Sequence, residues 1–191
     1  MKNILLIDNF DSFTFNLVDF FERAGGELTI FRNDVAVADV HPEAYDLLLI
    51  SPGPGVPKTS GNLMAIIEKC VGKVPIFGVC LGHEALAEAF GGSLHFVPPV
   101  HGKNTPIRHD GQTIFAGLPD GFPGGRYHSL AVETMPADFE VSARTDEDVI
   151  MAMRHKSLPI EAVQFHPESV LTMKDNTGLK LVENVMKVLA K

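Results

Sequence analysis

Apolar positions in the first half of the chain fall into short continuous runs that alternate with stretches of helical spacing. The runs predict strands at residues 3–8, 27–32, 46–51 and 74–79, the first of which (NILLID) is apolar enough to be buried on both faces. The helical stretches lie at residues 13–24, 61–70 and 81–90. Asp11 or Ser12 is the expected cap of the first helix, and Gly25-Gly26 its end. This alternation indicates a parallel sheet with helices on both faces.

The second half of the chain has a different pattern. Short β-prone pieces at residues 93–97, 139–143, 149–155 and 160–165 lie between turn clusters such as residues 118–125 (LPDGFPGG), which favours antiparallel additions to the sheet. A last helix is predicted over residues 177–189, with Asp175 or Asn176 as its cap. The expected fold class is therefore α/β, a mostly parallel central sheet flanked by helices with antiparallel additions, in a single domain over residues 1–191.

Composition and charge narrow the class of protein. The chain has 191 residues, of which 45% are hydrophobic and 21% charged, as in ordinary globular proteins. Its 16 basic and 24 acidic side chains give a net charge of −8 and no basic stripe, so we expect no nucleic-acid partner. The apolar run before Asp8 is too short for a signal peptide or a membrane span. We therefore expect a cytoplasmic protein with no membrane partner and with free thiols at Cys70 and Cys80.

The most informative stretch surrounds the second cysteine. Residues 78–82 read GVCLG and lie where a predicted strand passes into a predicted helix. This is the pattern of a nucleophile elbow, in which a tight strand-to-helix turn with little room for Cβ atoms lifts a reactive side chain out of the sheet. A sulfur at the N-terminus of a helix is also favoured as a thiolate. Cys80 is thus a candidate nucleophile that needs a base, whereas Cys70 is expected to be a packed helix residue.

Spacing selects one of the eight histidines as that base. His166-Pro167-Glu168 follows a β-prone stretch, and in an extended segment residues two apart face the same way. The imidazole of His166 and the carboxylate of Glu168 are therefore expected side by side, as a base and its orienting acid. For these three residues taken alone, a surface turn is the alternative interpretation.

A loop of glycine and proline follows the third predicted strand. Residues 51–55 read SPGPG, and such a loop at the carboxyl end of a parallel strand can hold bare backbone N–H groups in place, as an oxyanion hole requires. A rigid turn with no chemical role is the alternative.

Together, GVCLGHE, QFHPES and SPGPG resemble the class I (triad) glutamine amidotransferase domain, which has a flavodoxin-like fold. Residues 8–17 (DNFDSFTFNL), 101–103 (HGK) and 126–130 (RYHSL) are similar to the glutaminase subunits (component II) of anthranilate synthase and aminodeoxychorismate synthase. The resemblance spans essentially the whole chain.

The resemblance implies a role for each matching residue. Cys80 would form a γ-glutamyl thioester with L-glutamine, His166 would move the proton and Glu168 would orient His166. The backbone N–H groups of Gly53 and Leu81 would form the oxyanion hole. The glutamine substrate would be bound by Gly53, Pro54, Gly55, Glu84, Ser129 and Leu130. His83 is expected to be structural.

One residue departs from the family pattern. The motif usually reads CLGHQ, and Glu84 stands where the glutamine is expected. An ionised carboxylate four residues after Cys80 would attract the α-ammonium of glutamine, but it would also disfavour the thiolate and repel the α-carboxylate. We expect a weakened site unless Glu84 turns away or is protonated.

The implied function is to supply ammonia to a separate chorismate-using synthase subunit. That partner is anthranilate synthase component I (tryptophan biosynthesis) or, as the alternative, aminodeoxychorismate synthase component I (folate biosynthesis). A further alternative, favoured only by Glu84, is a catalytically weakened subunit that activates its synthase. His101, Lys103 and the SPGPG region are the candidate partner interface. No metal or cofactor is expected in this chain, and Mg²⁺ is expected on the partner.

Overall fold

The computed structural model describes residues 1–190, and its main feature is a nine-stranded mixed sheet with the strand order β2-β1-β3-β4-β11-β10-β9-β6-β7. Two further strands, β5 and β8, form a small antiparallel sheet. The strand bounds are β1 Lys2–Asp8, β2 Gly26–Arg32, β3 Leu47–Ile50, β4 Ile76–Val79, β5 Ser93–Phe96, β6 Lys103–His109, β7 Phe122–Arg126, β8 Leu130–Thr134, β9 Phe139–Arg144, β10 Ile150–His155 and β11 Ile160–Val163. The predicted α/β class, with parallel strands first and antiparallel additions later, is confirmed.

The four helices are α1 Thr14–Arg23, α2 Leu63–Cys70, α3 Leu81–Ala89 and α4 Thr177–Val188. All four were predicted, with ends that differ by one or two residues. The cap predicted for α1 is wrong, because Phe13 occupies its N-cap position, whereas Asn176 occupies the N-cap position of α4 as predicted; neither side chain makes a capping hydrogen bond. Asp11 instead accepts a hydrogen bond from the Phe13 N–H just before α1, at 2.7 Å. None of these helices is long and apolar enough to cross a bilayer.

Helices cover both faces of the sheet, so its central strands are apolar throughout. All four residues of β3 and of β4 are buried, as are residues 4–7 of β1. Successive side chains of these strands point to opposite faces, and one hydrophobic core lies on each side. This double burial explains why the strands read as continuous apolar runs rather than as alternating patterns.

Two expectations about the second half of the chain are corrected. The composition of residues 122–125 indicates a turn cluster, but these residues belong to β7, at the edge of the large sheet, where a proline is tolerated. The piece at residues 160–165 is expected to be antiparallel; β11 is antiparallel to β10 but parallel to β4, so the expectation holds on one side only. Strands β9 and β10 are antiparallel as expected.

The topology places four polar residues at one edge of the sheet. Asn9, Ser51, Cys80 and Gln164 each follow the last residue of a parallel strand, namely β1, β3, β4 and β11. Because the carboxyl ends of parallel strands meet at the same edge, these four positions are brought together although they are far apart in sequence.

Candidate active site

Cys80 forms the sharp turn between β4 and α3. Its backbone has φ 54° and ψ −103°, a conformation that residues with a Cβ atom rarely adopt. The turn is held from both sides, because the Cys80 N–H donates to the Val163 carbonyl at 2.8 Å and its carbonyl accepts from the Glu84 N–H at 3.0 Å. The strand-to-helix turn expected from GVCLG is thus present, with a strained residue at its apex.

The two glycines beside Cys80 are required by close backbone contacts. A Cβ on Gly78 would lie 2.7 Å from the carbonyl oxygen of Gly82, and a Cβ on Gly82 would lie 2.7 Å from the carbonyl oxygen of Ile50. The elbow therefore packs against itself and against β3 with no room for a side chain at either position.

The Cys80 thiol is buried, with only 6% of the residue exposed. Burial raises the pKa of this thiol and outweighs the opposing effect of His166. Burial therefore opposes the effect of the helix N-terminus, which is expected to favour a thiolate. Ionisation of Cys80 depends instead on proton transfer to a neighbouring base.

The side chains of His166 and Glu168 are in contact as predicted, although the backbone conformation differs from the predicted one. His166 Nδ1 lies 2.7 Å from Glu168 Oε1, and both side chains are buried. His166 forms an isolated β-bridge with Gly125, and the chain turns at residues 167–168 instead of continuing as the predicted extended segment. Burial acts to lower the pKa of His166, but the charges of Glu168 and Cys80 outweigh it and hold this pKa well above its usual value. His166 interacts with the Cys80 side chain through charge and hydrogen bonding, and within residues 1–190 its Nε2 has no other partner, which leaves it able to accept the thiol proton.

Packing around the imidazole fixes its orientation. Its ring contacts the rings of Phe13 and Tyr127, with centroid distances of 5.3 and 5.0 Å. The His166 N–H donates to the Gly125 carbonyl at 2.9 Å, and the His166 carbonyl accepts from Thr172 Oγ1 at 2.6 Å. The base is thus held by both its ring and its backbone.

Buried hydrogen bonds anchor the loop at residues 51–55. The Asn9 N–H donates to Ser51 Oγ at 2.8 Å, and Asn9 Nδ2 donates to the Ser51 carbonyl at 2.9 Å. Asn33 Nδ2 in turn donates to Asn9 Oδ1 at 3.0 Å. A Cβ on Gly53 would lie 2.5 Å from the Asn9 Cβ and 2.7 Å from Leu81 Cδ2, so only glycine fits there. The loop is therefore fixed against the first turn of α3.

A small cavity of about 130 Å³ opens above the thiol. All six residues predicted to bind the substrate line this cavity, together with Cys80. Tyr127 and His128, for which no role was predicted, complete the wall. The lining residues are Gly53, Pro54, Gly55, Cys80, Glu84, Tyr127, His128, Ser129 and Leu130.

His128 was missed as a site residue because a histidine in a loop has no distinctive spacing. Burial lowers its pKa to about 4, so the ring is neutral. Its Nε2 accepts from Arg126 Nε at 3.0 Å, so Nδ1 carries the proton and donates to the Leu130 carbonyl at 2.7 Å. These bonds fix the backbone of residues 126–130 beside the cavity.

Leu81, His101 and Lys103 are predicted site residues that do not line the cavity. Leu81 is the first residue of α3, directly after Cys80. His101 and Lys103 are exposed and do not line the cavity, but the His101 ring packs edge-on against Tyr127 with a centroid distance of 5.3 Å. In the described part of the chain, no three side chains of His, Cys, Asp or Glu group together in a way that could hold a metal ion.

Comparisons with known proteins agree with this geometry. Residues 5–184 match the glutamine amidotransferase class-I family. The chain is 46% identical over 192 residues to "Aminodeoxychorismate/anthranilate synthase component 2" of Bacillus subtilis (98% of this chain, 97% of the relative). It is 44% identical over 194 residues to "Anthranilate synthase component 2" of Methanocaldococcus jannaschii, covering 98% of both chains.

A solved structure extends the likeness to the fold. A putative GMP synthase subunit of Thermoplasma acidophilum superposes with a TM-score of 0.87 at 26% identity, over 98% of this chain and 94% of that one. The family match and the near full-length relatives lead to one conclusion: this chain belongs to the class I glutamine amidotransferase family.

Proposed function

We propose that this enzyme hydrolyses glutamine through a thioester on Cys80 and supplies the ammonia to a chorismate-using synthase subunit, namely that of anthranilate synthase. The observation that carries the proposal is the buried arrangement of Cys80, His166 and Glu168 beside a small cavity. The near full-length similarity to component 2 subunits supports the choice of partner.

In the first half of the reaction, His166 Nε2 takes the proton of the Cys80 thiol. The sulfur attacks the side-chain amide carbon of glutamine, and the C–N bond breaks as the nitrogen takes a proton from His166, which releases ammonia. In the second half, His166 takes a proton from water, which adds to the thioester and releases glutamate and the thiol. Glu168 stabilises the imidazolium through the 2.7 Å hydrogen bond to Nδ1.

The oxyanion of each tetrahedral intermediate needs fixed donors. We assign this role to the backbone N–H groups of Gly53 and Leu81, because the loop at Gly53 packs directly on the Leu81 side chain at the start of α3. The buried Asn9–Ser51 hydrogen bonds hold that loop without substrate, as preorganised stabilisation requires.

Glutamine would occupy the cavity with its side-chain amide next to the sulfur. Backbone groups of residues 53–55 and of Ser129 and Leu130 then remain to bind its α-amino and α-carboxylate groups.

We assign no metal or cofactor to this half-reaction, because the nucleophile, the base and the oxyanion donors are all protein groups. Mg²⁺ would belong to the partner subunit. We place the reaction in the cytoplasm, whose reducing conditions preserve the free thiol of Cys80.

The partner surface that we propose surrounds the cavity. His101 connects it to the site, because its ring contacts Tyr127, which contacts His166. Two large apolar side chains nearby are mostly exposed: Phe96, in the strand that pairs with β8, and Val170, which follows Glu168 by two residues. Exposed apolar groups of this size favour a protein contact over open solvent.

Replacing Glu168 with glutamine is expected to lower glutamine hydrolysis by about 10²-fold. The change removes the charge that holds the pKa of His166 up, so this pKa should fall and the imidazolium should lose stability. The measurement is glutamate release as a function of pH. Glu183→Gln, on the exposed side of α4, is the matched control and should keep full activity. Equal rates in both variants would contradict the role of Glu168.

The choice of partner is tested by reconstitution. The purified chain is mixed with an anthranilate synthase large subunit, chorismate, Mg²⁺ and glutamine, and anthranilate fluorescence is followed together with glutamate release. We expect glutamine-dependent anthranilate, with little glutamate released by the chain alone. No complex with this subunit, but activity with the aminodeoxychorismate synthase large subunit, would move the assignment to folate biosynthesis.

The same experiment tests the alternative of a weakened, activating subunit. In that case the complex would form anthranilate from added ammonia but not from glutamine. His101→Ala and Lys103→Ala test the surface, since both should weaken complex formation. Unchanged binding in both variants would show that the partner docks elsewhere.

A further inference from the structure

Glu84 does not turn away from the site. It lies one helical turn after Cys80 on α3, its residue is only 3% exposed, and it lines the same cavity as the thiol. A carboxyl group is therefore held close to the reacting sulfur, where its charge affects the ionisation of Cys80.

A single amide group connects this carboxyl to the thiol. Gln164 Nε2 donates to Glu84 Oε1 at 2.9 Å and lies 3.8 Å from Cys80 Sγ. Gln164 is fully buried at the end of β11, and its Oε1 has no hydrogen-bond partner within residues 1–190. If the amide turned over, its oxygen would accept a hydrogen bond from a neutral Glu84, so Gln164 has a donor for the ionised carboxyl and an acceptor for the neutral one.

Few charges near Glu84 compensate an ionised carboxylate. Burial raises the pKa of Glu84 to about 8, while Gln164 and His166 act to lower it and Glu88 adds to the rise. Two neighbouring rings are neutral near pH 7, because burial lowers the pKa of His83 to about 3 and that of His128 to about 4. The titratable groups around the carboxyl are Cys80, His83 and Glu88 of α3, His166 and Glu168 after β11, and His128 before β8.

We propose that Gln164 positions Glu84 beside the thiol, where the buried carboxyl rests as a neutral acid, and that loss of its proton suppresses ionisation of Cys80 and reduces glutamine hydrolysis on the alkaline side. Glu84 is then a group that sets the upper pH limit of the reaction, and Gln164 is its positioning residue. The inference rests on the proposed role of Cys80 as the nucleophile.

The charge of Glu84 determines whether rising pH favours or opposes the Cys80 thiolate. Below the pKa of Glu84 the carboxyl is neutral and does not oppose the thiolate. As the pH rises through that value, a negative charge appears beside the sulfur and raises the pKa of Cys80. Each pKa unit lowers the thiolate fraction about tenfold.

The test is the rate of alkylation of Cys80 by iodoacetamide, read by mass spectrometry of its peptide from about pH 6 to about pH 10. Glu84→Gln keeps the size of the side chain and removes the charge. We expect the two proteins to react at similar rates at the acidic end, and the variant to react about tenfold faster near pH 9. The alkaline decline in kcat/KM for glutamine should disappear in the same variant. Parallel alkylation profiles would overturn the proposal.

Two further variants test whether the effect is specific to Glu84 and whether it depends on Gln164. Glu88→Gln removes a carboxylate from the same helix, one turn further along, where Glu88 pairs with the exposed Lys58. Glu88 makes the smallest contribution to the pKa of Glu84, so this variant should keep the alkaline decline and move it only slightly, to lower pH. Gln164→Met removes the donor that lowers the pKa of Glu84, so the alkaline decline should move to higher pH. A decline that stays in place would show that Gln164 does not position Glu84.

Alkylation separates this inference from the proposed function, because it needs neither glutamine nor a partner. A protein that never hydrolyses glutamine, but whose Cys80 becomes more reactive at alkaline pH in Glu84→Gln, would refute the proposed function and still support the Glu84–Gln164 pair.

Discussion

Replacing Cys80 with alanine is expected to lower glutamine hydrolysis by at least about 10⁴-fold, because the reaction loses its nucleophile. Neither the oxyanion donors nor His166 can replace the sulfur that forms the thioester. The measurement is glutamate release by the reconstituted complex at saturating glutamine. Residual activity within tenfold of the unchanged protein would exclude a thioester on Cys80.

Two controls distinguish loss of chemistry from loss of structure. Cys70→Ala removes the other buried thiol and should leave glutamine hydrolysis unchanged, because Cys70 packs in α2 away from the cavity. With added ammonia, the Cys80→Ala complex should still form product at the normal rate, since we propose that the acceptor chemistry belongs to the partner. Cys80→Gly should also be more stable than Cys80→Ala, because φ 54° and ψ −103° favour glycine.

Replacing Gly178 with alanine is expected to cause the largest loss of stability, about 3 kcal/mol or more in the free energy of unfolding. Gly178 lies in the first turn of α4, and a Cβ there would clash with the carbonyl oxygen of Pro167. The helix must move away from the 166–168 turn, and the gain in helix propensity of about 1 kcal/mol does not offset this. Urea unfolding followed by circular dichroism measures the change.

A glycine without close neighbours provides the comparison. Gly111 has φ +72° and no atom within 4 Å of its added Cβ, so Gly111→Ala should cost only about 1 kcal/mol through backbone strain. The Gly178 variant should also hydrolyse glutamine more slowly where it is folded, because Pro167 lies between His166 and Glu168. Equal stability of the two variants would show that α4 does not pack tightly on the catalytic turn.

The local pattern predicted most of the strands and helices, and it failed where tertiary packing determined the conformation. Strand β7 resembles a turn in sequence because residues 122–125 are rich in glycine and proline. Those glycines meet a packing requirement: a Cβ on Gly124 would lie 2.6 Å from Ile107 Cγ1. Close packing against β6 and the core thus requires a composition that is otherwise typical of a loop.

Some residues of the candidate site were identifiable from the local sequence, whereas others are at the site only because of the tertiary structure. Cys80, His166 and Glu168 were identifiable because each has a distinctive local pattern of neighbours, and the structure brings the three together. Gln164, Tyr127 and His128 lie in the quoted motifs QFHPES and RYHSL, but no role was predicted for them, because their place at the site depends on strand order and loop packing. No spacing along the chain relates Gln164 to Glu84, which is 80 residues away.

The sequence by itself determined the α/β class, the elbow at Cys80 and the pairing of His166 with Glu168, because each depends on residues that are neighbours along the chain. Only the tertiary structure decided that Asn9 fixes the loop at Gly53, that Gly82 packs on Ile50 and that Glu84 is held by Gln164. These contacts join residues that a parallel sheet brings to one edge, so their distances depend on how the strands are ordered rather than on any local preference.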